Sequence, residues 1–389
     1  MDLTLGRRGY LALLALLAFT PLLVRSSTAP GAAPAAAAEV ELLVGQSAPL
    51  SGPSSSTAKD FREGALAWFA EVNRRGGIRG RRLKLVSLDD RYEPKQTLAN
   101  AHQLIEQEKV IALFGIFGTA NAKAILPLIE QVGVPLVAPR SGARSLRDPL
   151  RPMVFNLRAS YQAEIDRIIN QLVRDGRRRV AVVRIDDAYG EDGLRSSLAS
   201  LARHGLNPVA VGAVKRNSKD TGATARRIHA ADPNAVLIFA TFTTSASFTQ
   251  DLQRLGSTAQ LMNLSPVDVE GLQDALPGGQ ANGIGISQVV PFPWDRRVPV
   301  VARYQQLIRQ QQRTPRYGFT SLEGFLAARL LTEALEKAGA EPNRQSLKQG
   351  LESLGQLDLG GFKVSLGARD HQASDFVDLS FIGAQRWGP

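Results

Sequence analysis

The chain has 389 residues, of which 44% are hydrophobic and 21% are charged. At about 150 residues per domain, this length predicts two domains or one large domain. The apolar content is sufficient for a buried core, which excludes a chain that is disordered throughout. Because the sequence contains no cysteine, it excludes disulfides, thiolate metal sites, a cysteine nucleophile and an N-terminal cysteine lipid anchor.

The charge balance is basic, since 47 lysines and arginines against 36 acidic residues give +11. The basic stretches at residues 74–82 and 177–179 fall at predicted turns before strands, and no aromatic residues are interleaved with them. This pattern favours a basic solvated surface over nucleic-acid binding.

The first 38 residues differ from the rest of the chain. Arg7 and Arg8 precede an apolar run at residues 10–24, and a stretch rich in alanine and proline then ends at Ala36–Ala38. This order is typical of a secretory signal peptide, and the run is shorter than the roughly 20 residues of a membrane-spanning helix. We therefore predict a signal peptide at residues 1–38, with an uncleaved anchor as the alternative. Both the twin-arginine and the general secretory routes remain open.

Strand-like and helix-like patterns alternate in the first half of the remaining chain. The predicted elements are a strand at 40–44, a helix with its apolar face at 61–72, a strand at 83–88, a helix at 94–108, a strand at 110–114, a helix at 119–132 and a strand at 135–138.

The alternation begins again at residue 160 and ends in a mainly helical block. The predicted elements are helices at 160–174, 189–203, 220–231 and 245–255 between strands at 180–184, 209–214, 235–239 and 260–263, then a segment at 283–289, helices at 298–311, 321–337 and 344–354, and short strands at 362–364 and 376–382.

These patterns predict an α/β fold. Alternating strand and helix units form parallel sheets that helices cover on both faces. Two successive runs of such units predict two doubly wound, Rossmann-like lobes with a boundary near residues 156–159. The helical block after residue 290 could return to the first lobe.

A ligand of such a fold binds beyond the carboxyl ends of the strands. The residues there are mostly small hydroxyls, glycines and a few aromatics, which suit hydrogen bonding to a small polar ligand. Thr119 is the most informative of them, because it begins a predicted helix whose free backbone N–H groups favour an anion such as a carboxylate. The alternative is that Thr119 only caps its helix.

The sequence gives little support for catalysis or metal binding. No dinucleotide-binding, P-loop or nucleophile-elbow motif follows a strand. The pairs Asp89–Asp90 and Asp186–Asp187 lack the spaced oxygen ligands of a calcium loop, so helix capping or a contact between lobes is favoured. We predict a protein without enzymatic activity, cofactor or metal, and the rival is an exported α/β enzyme.

Seven short motifs, in order and over nearly the whole mature chain, carry a resemblance to a known family. They are Pro49–Pro53, Asn73–Arg81, Asp89–Pro94, Phe114–Thr119, Pro135–Pro139, Phe155–Tyr161 and Asp186–Gly190. In order and spacing, the chain resembles the type I periplasmic solute-binding proteins, in the branch that binds branched-chain amino acids for ABC importers.

The resemblance implies two lobes that three chain crossings join as a hinge. Lobe 1 would comprise residues 39–158 and 288–357, and lobe 2 residues 159–287 and 358–389. The resemblance also implies the ligand-binding residues, which are Thr119, Ser141 and Gly142 on the carboxylate and Tyr189 and Phe242 from the second lobe.

One position departs from the family pattern. Amino-acid binders of the family carry a carboxylate near residue 265 that neutralises the ligand's ammonium, whereas this chain has Ser265. A buried ammonium without a counter-charge is costly, so Asp268 or Asp187 would have to replace that carboxylate. Arg140 and Arg184 point instead to an acidic ligand.

The resemblance implies a monomeric, periplasmic solute-binding protein. It would capture a small polar metabolite, such as an amino acid or a related carboxylate or amide, and deliver it to an inner-membrane ABC permease. The alternative is a ligand-sensing subunit of a membrane signalling receptor with the same fold.

Overall fold

The computed structural model describes residues 41–52 and 54–383. The predicted signal peptide at residues 1–38 lies outside this part of the chain. The strands are β1 Glu41–Ala48, β2 Arg82–Asp89, β3 Ala112–Phe114, β4 Leu136–Val137, β5 Val154–Phe155, β6 Val180–Ile185, β7 Ala210–Val214, β8 Ala235–Phe239, β9 Gln260–Asn263, β10 Gly285–Gln288, β11 Gly355–Asp358, β12 Lys363–Leu366 and β13 Asp378–Phe381. The helices are α1 Ser55–Arg74, α2 Pro94–His102, α3 Thr119–Val132, α4 Tyr161–Arg174, α5 Ala188–Arg203, α6 Gly222–Ala230, α7 Phe242–Arg254, α8 Val269–Ala275, α9 Pro299–Gln311, α10 Phe319–Lys337 and α11 Arg344–Glu352.

Two main sheets define two lobes. The sheet of the first lobe has the order β2-β1-β3-β4-β5, and all of its strands are parallel. The sheet of the second lobe has the order β13-β10-β9-β8-β6-β7, in which only β13 runs antiparallel to its neighbour. This arrangement confirms the predicted α/β fold with two parallel-sheet lobes.

The chain passes between the lobes at three places in the described part. It leaves the first sheet after β5, and it leaves the second sheet after β10 to form α9 and α10, which pack on α1. It returns before β13, and there the backbone N–H groups of Asn156 and Ala373 bond to the carbonyls of His371 and Asn156 at 2.8 and 2.7 Å. The first and third crossings are thus hydrogen-bonded to each other, while the predicted residue ranges of the lobes stay a prediction.

Several elements differ from the sequence-based expectation. The helix predicted at 94–108 ends as α2 at His102 and continues as a π-helical turn at Gln103–Gln107. Arg344 stabilises this region because its guanidinium donates to the carbonyls of Ile105 and Val110 at 3.0 and 3.1 Å. The short elements β5, β11 and α8 lack a periodic pattern of useful length and were not predicted, and α7 begins three residues early, at Phe242.

The first lobe depends on a close crossing of α1 and α10. A Cβ on Gly64 would lie 1.8 Å from the Ser321 carbonyl oxygen, and a Cβ on Gly324 would lie 1.9 Å from the Phe61 carbonyl oxygen. Beside the crossing, the Trp68 indole N–H donates to the Thr332 hydroxyl at 2.9 Å. Only glycine permits the two backbones to approach this closely.

Within residues 41–52 and 54–383, no helix combines the length and the apolar character that crossing a membrane requires.

We expect Gly64→Ala to destabilise the fold by about 1–3 kcal/mol or more, the typical cost of overpacking. Helix propensity alone would favour alanine by roughly 1 kcal/mol, so a loss must come from the clash with α10. Chemical denaturation measures the free energy of unfolding. Gly367→Ala is the control, because a Cβ there meets nothing within 4 Å. Equal stability of the two variants would contradict the close crossing.

Candidate binding cleft

A cleft lies between the carboxyl ends of the strands of the two sheets. Both lobes contribute hydroxyl and aromatic side chains to it. The lining residues are Ser54, Thr57, Tyr92, Phe117, Gly118, Thr119, Arg140, Tyr161, Tyr189, Ala240, Thr241, Phe242 and Pro266. The lobes are closed around a space of about 20 Å³, which suffices for a water molecule. Ligand pockets commonly measure about 300–1,000 Å³, so a solute of that class requires the lobes to separate.

Thr119 occupies the position that the sequence predicted, at the first residue of α3. Gly118 before it has a φ of 92°, and a Cβ there would lie 2.5 Å from the Tyr92 ring. Glycine therefore lets the chain turn sharply into the helix against an aromatic wall of the cleft. The N-cap residue of α3 is Gly118, so Thr119 stands at the first helical residue and not at the cap position.

Thr119 belongs to a group of three hydroxyls. Its Oγ1 lies 2.8 Å from Oγ of Ser141, and the Tyr161 phenol hydrogen-bonds with both side chains. Burial raises the pKa of Tyr161, while Arg158 and these hydrogen bonds act in the opposite direction. The group joins the two lobes, because Tyr161 begins α4 beyond the first crossing.

Ser141 and Gly142 lie immediately behind the cleft wall in this closed state. Ser141 Oγ also accepts a bond from the backbone N–H of Ala143 at 3.2 Å. A Cβ on Gly142 would lie 2.6 Å from the Tyr161 ring and 2.7 Å from its backbone nitrogen. Close packing against Tyr161 therefore requires glycine at position 142, independently of any contact with a ligand.

Tyr189 and Phe242 line the cleft from the second lobe. Tyr189 is 4% exposed, and its phenolic oxygen has no hydrogen-bond partner. Its ring packs on Tyr161 with centroids 5.1 Å apart, and burial raises its pKa well above the ordinary value. A buried hydroxyl without a partner is costly, so this oxygen is a natural contact for a polar group in the cleft.

Two buried arginines share one carboxylate at the floor of the cleft. Nε of Arg158 lies 2.9 Å from Oε1 of Glu323, and Nε of Arg140 lies 3.4 Å from Oε2. Arg140 also donates to the Pro266 carbonyl at 3.2 Å and to the Thr320 hydroxyl at 2.9 Å. Burial lowers the pKa of Arg140, and the Glu323 charge opposes this effect. The sequence indicated Arg140 as a cleft residue, but it did not indicate Glu323.

Ser265 stands where relatives are expected to carry an ammonium-pairing carboxylate. Its hydroxyl accepts a bond from Arg158 at 2.9 Å, and its backbone N–H donates to Glu164 at 3.0 Å. The Ser287 hydroxyl donates to the same Glu164 oxygen at 2.6 Å. The position therefore belongs to a buried polar network that begins at Arg158.

The two candidate replacements for that carboxylate differ. Asp187 is fully engaged, since it caps α5 by accepting bonds from two backbone N–H groups and pairs with Arg216 at 2.9 Å. Asp268 is 1% exposed, and its Oδ1 has no partner. Its Oδ2 accepts from the hydroxyls of Ser56 and Thr57 at 3.0 and 3.2 Å, so it contacts the first lobe at the edge of the cleft.

The other paired acids have structural roles. Asp89 accepts bonds from the backbone N–H groups of Leu50, Ser51 and Arg91, and Asp90 accepts bonds from the hydroxyls of Ser47 and Thr97. These bonds fix the loops at the carboxyl ends of β1 and β2. Among the described residues, no group of three or more histidine, aspartate or glutamate side chains is arranged to hold a metal ion.

Arg216 connects the two lobes on the side of the cleft opposite Asp268. From the second lobe, its guanidinium donates to Asn121 Oδ1 at 3.0 Å and to the Tyr92 carbonyl of the first lobe. It also lies 4.2 Å from the centroid of the Tyr92 ring. The sequence did not indicate this residue, because a single arginine after a strand carries no motif.

A family model described as "Periplasmic binding protein" matches residues 41–379. The chain belongs to the periplasmic binding protein family. More narrowly, it is a type I periplasmic binding protein of the branched-chain amino acid-binding branch, as the resemblance predicted.

Relatives and solved structures agree with this assignment. A Leu/Ile/Val-binding protein homolog of Brucella abortus is 25% identical over 91% of this chain and 90% of its own length. An amino acid binding protein of Pseudomonas aeruginosa is 27% identical over 62% of this chain and 64% of its own. The structure of a possible leucine/isoleucine/valine-binding protein from Rhodopirellula baltica is 32% identical, has a TM-score of 0.83, and is matched over 89% of this chain and 95% of that one.

The relatives are binding proteins and not enzymes. They indicate a non-enzymatic, solute-binding role for this periplasmic binding protein.

We expect Glu323→Gln to destabilise the protein by about 3–5 kcal/mol, since removing one partner of a buried ion pair leaves uncompensated charge. Here two guanidiniums lose their shared carboxylate. The midpoint of urea unfolding provides the measurement. Glu336→Gln on the exposed end of the same helix is the matched control and should be nearly neutral. A Glu323→Gln protein as stable as this control would contradict the assigned role.

Proposed function

We propose that this protein is the exported solute-binding component of an ABC importer. It captures a small polar metabolite in the cleft, an amino acid or a related carboxylate or amide, and delivers it to a permease in the inner membrane. The observation that carries the proposal is the N-terminus of α3 with its Thr119 hydroxyl, which opens into a cleft between two hinged lobes.

The polar end of the ligand binds on the first lobe. Free N–H groups at a helix N-terminus favour an anion, and Thr119 and Ser141 add hydroxyls 2.8 Å apart. Gly142 keeps Tyr161 close to this pair. Hydrogen bonds to a charged group contribute about 1.5–3 kcal/mol each, so a few of them, less the ordering costs, support micromolar affinity at about −8 kcal/mol.

The remainder of the ligand is covered from the second lobe. Tyr189 and Phe242 lie on the far wall of the cleft, with Phe117 and Tyr92 opposite. These aromatic rings bury apolar surface, and the Tyr189 hydroxyl gains a partner. The ligand therefore combines a carboxylate or amide group with an apolar body.

Capture requires opening and closing about the hinge. The contacts across the cleft include those of Arg216 on one side and of Asp268 on the other. Such contacts exchange readily with water, so a bound solute supplies the additional free energy that favours the closed state.

A thermal-shift screen of the protein from residue 39 onward tests this function. The panel pairs each amino acid with its analogue lacking the ammonium, such as leucine with 4-methylpentanoate, and adds amides and dicarboxylates. A ligand at 100 times its Kd stabilises the folded state by about 2.7 kcal/mol, which raises the melting temperature. Turnover of a hit would contradict the proposal, as would the absence of a hit combined with no co-purifying permease.

We expect Thr119→Val to weaken the binding of the strongest hit roughly tenfold or more, because it removes one hydrogen bond to a charged group. Isothermal titration calorimetry measures the Kd. Thr224→Val, at a threonine that bonds only to the Ala213 carbonyl, serves as the control. Unchanged affinity of the Thr119 variant would place the carboxylate elsewhere.

A further inference from the structure

Asp268 and Glu270 lie close together where the lobes close, at the edge of the cleft, and Asp60 is near enough to interact with both electrostatically. Asp60 lies on α1 of the first lobe, and Asp268 and Glu270 lie at the start of α8 in the second lobe. The hydroxyls of Ser56 and Thr57 on α1 donate to Asp268, so the group is part of a direct contact between lobes. We call Asp60, Asp268 and Glu270 the carboxylate cluster.

Two oxygens of the cluster are buried and have no hydrogen-bond donor among residues 41–52 and 54–383. They are Oδ1 of Asp268 and Oε1 of Glu270. The two side chains are within hydrogen-bonding reach of each other, but two ionised carboxylates are both acceptors and cannot form that bond. A single proton on Glu270 turns the pair into a donor and an acceptor, which satisfies the buried oxygens.

The surroundings favour this proton. Burial, followed by the Asp268 charge, raises the pKa of Glu270 from 4.5 to about 8. Burial, followed by Asp268 and Glu63, raises the pKa of Asp60 from 3.8 to about 7. Both values lie near neutral pH, where small changes in acidity alter the charge of the cluster.

Charged and titratable groups on the neighbouring elements also influence the pKa values of Asp60 and Glu270. Glu63 on α1 adds negative charge, whereas Arg316 before α10 and Arg140 after β4 lower the pKa of Asp60. Tyr304 on α9 faces Glu270 and Asp60, and burial raises its own pKa far above neutrality, so it stays uncharged. The Glu270 carboxylate touches Gly318 at the start of α10, where a Cβ would lie 3.0 Å from Oε1. This contact also depends on closure.

We propose that closing of the cleft takes up protons at the carboxylate cluster, so that the protein closes more readily in acidic than in alkaline surroundings. The inference rests on the proposed function, because it requires that the lobes open and close. When they separate, water reaches Asp60 and Glu270, and the pKa values of these two carboxyls return toward the ordinary range.

The direction of the effect follows from linkage. Well below about pH 4, Asp60 and Glu270 are protonated in both states and closing has no ionisation cost. As the pH rises toward about 8, the open state loses its protons first, and closing must take protons back. The closing constant therefore falls across this window, by up to about tenfold per pH unit for each proton bound.

The distance between the lobes tests the proposal without a ligand. Because the chain contains no cysteine, Gln96→Cys and Lys219→Cys, both at exposed positions of opposite lobes, give two unique sites for spin labels. Pulsed electron spectroscopy then reports the closed fraction between about pH 5 and 9. In the parent protein we expect the closing constant to fall about threefold to tenfold per pH unit between pH 6 and 8.

Glu270→Gln is the decisive variant, because the glutamine amide donates to Asp268 at any pH. We expect its pH dependence to be weaker than that of the parent by the share of the Glu270 proton, with the Asp60 share retained, whereas Glu336→Gln should behave like the parent. Carbon-13 NMR of the parent measures the Glu270 titration directly. An ordinary pKa for Glu270, or the same pH dependence in parent and Glu270→Gln, overturns the proposal. A ligand hit in the thermal-shift screen with either result would leave the solute-binding function intact.

Discussion

The architecture depends on two buried guanidinium groups at the junction of the two lobes and on the groups that balance their charge. Transferring a guanidinium from water to the interior costs several kcal/mol after relaxation, and Arg140 and Arg158 are 2% and 1% exposed. They remain charged because Glu323 on α10 serves both, while the carbonyl of Pro266 and the hydroxyl of Ser265 from the second lobe satisfy further N–H groups. First-lobe and second-lobe groups are thereby held at one point. Because separating these groups would leave buried charge without partners, we expect any motion between the lobes to pivot at this point.

The rest of the interface has a different character. Away from the pivot, Arg216 connects the lobes on one side, and Asp268 with the hydroxyls of Ser56 and Thr57 connects them on the other. These contacts are polar hydrogen bonds, each of which typically contributes about 1 kcal/mol net. A strongly held pivot with weakly held outer contacts is what a hinge requires. The outer contacts lie at the edges of the cleft, where separation of the lobes would break them.

Much of this architecture could be predicted from the sequence, because it rests on long periodic patterns. Alternating apolar runs and helical faces predicted the two parallel-sheet lobes, and the position of Thr119 after a strand predicted its place at the start of α3.

Three residues could not be predicted in the same way, namely Arg216, Glu323 and Glu270. Each is a common polar residue whose importance arises only when distant segments meet, as when Glu323 reaches Arg158 over a separation of 165 residues. The short helix α8 could not be predicted, because its seven residues are too few to show a helical period.

The charges around the cleft restrict the chemical class of the ligand more than the fold alone does. The first lobe presents a helix N-terminus, hydroxyls and the Arg140 guanidinium, all of which favour negative charge. Negative charge in the neighbourhood is concentrated at one edge, in the carboxylate cluster. An amino acid that binds with its carboxylate at Thr119 must therefore place its ammonium toward Asp268, since Ser265 offers none of the charge that relatives are expected to carry there. A ligand without an ammonium would instead leave the cluster to be neutralised by protons. If the two proposals hold, the same three side chains influence both the binding of a zwitterion and the response of closure to acidity.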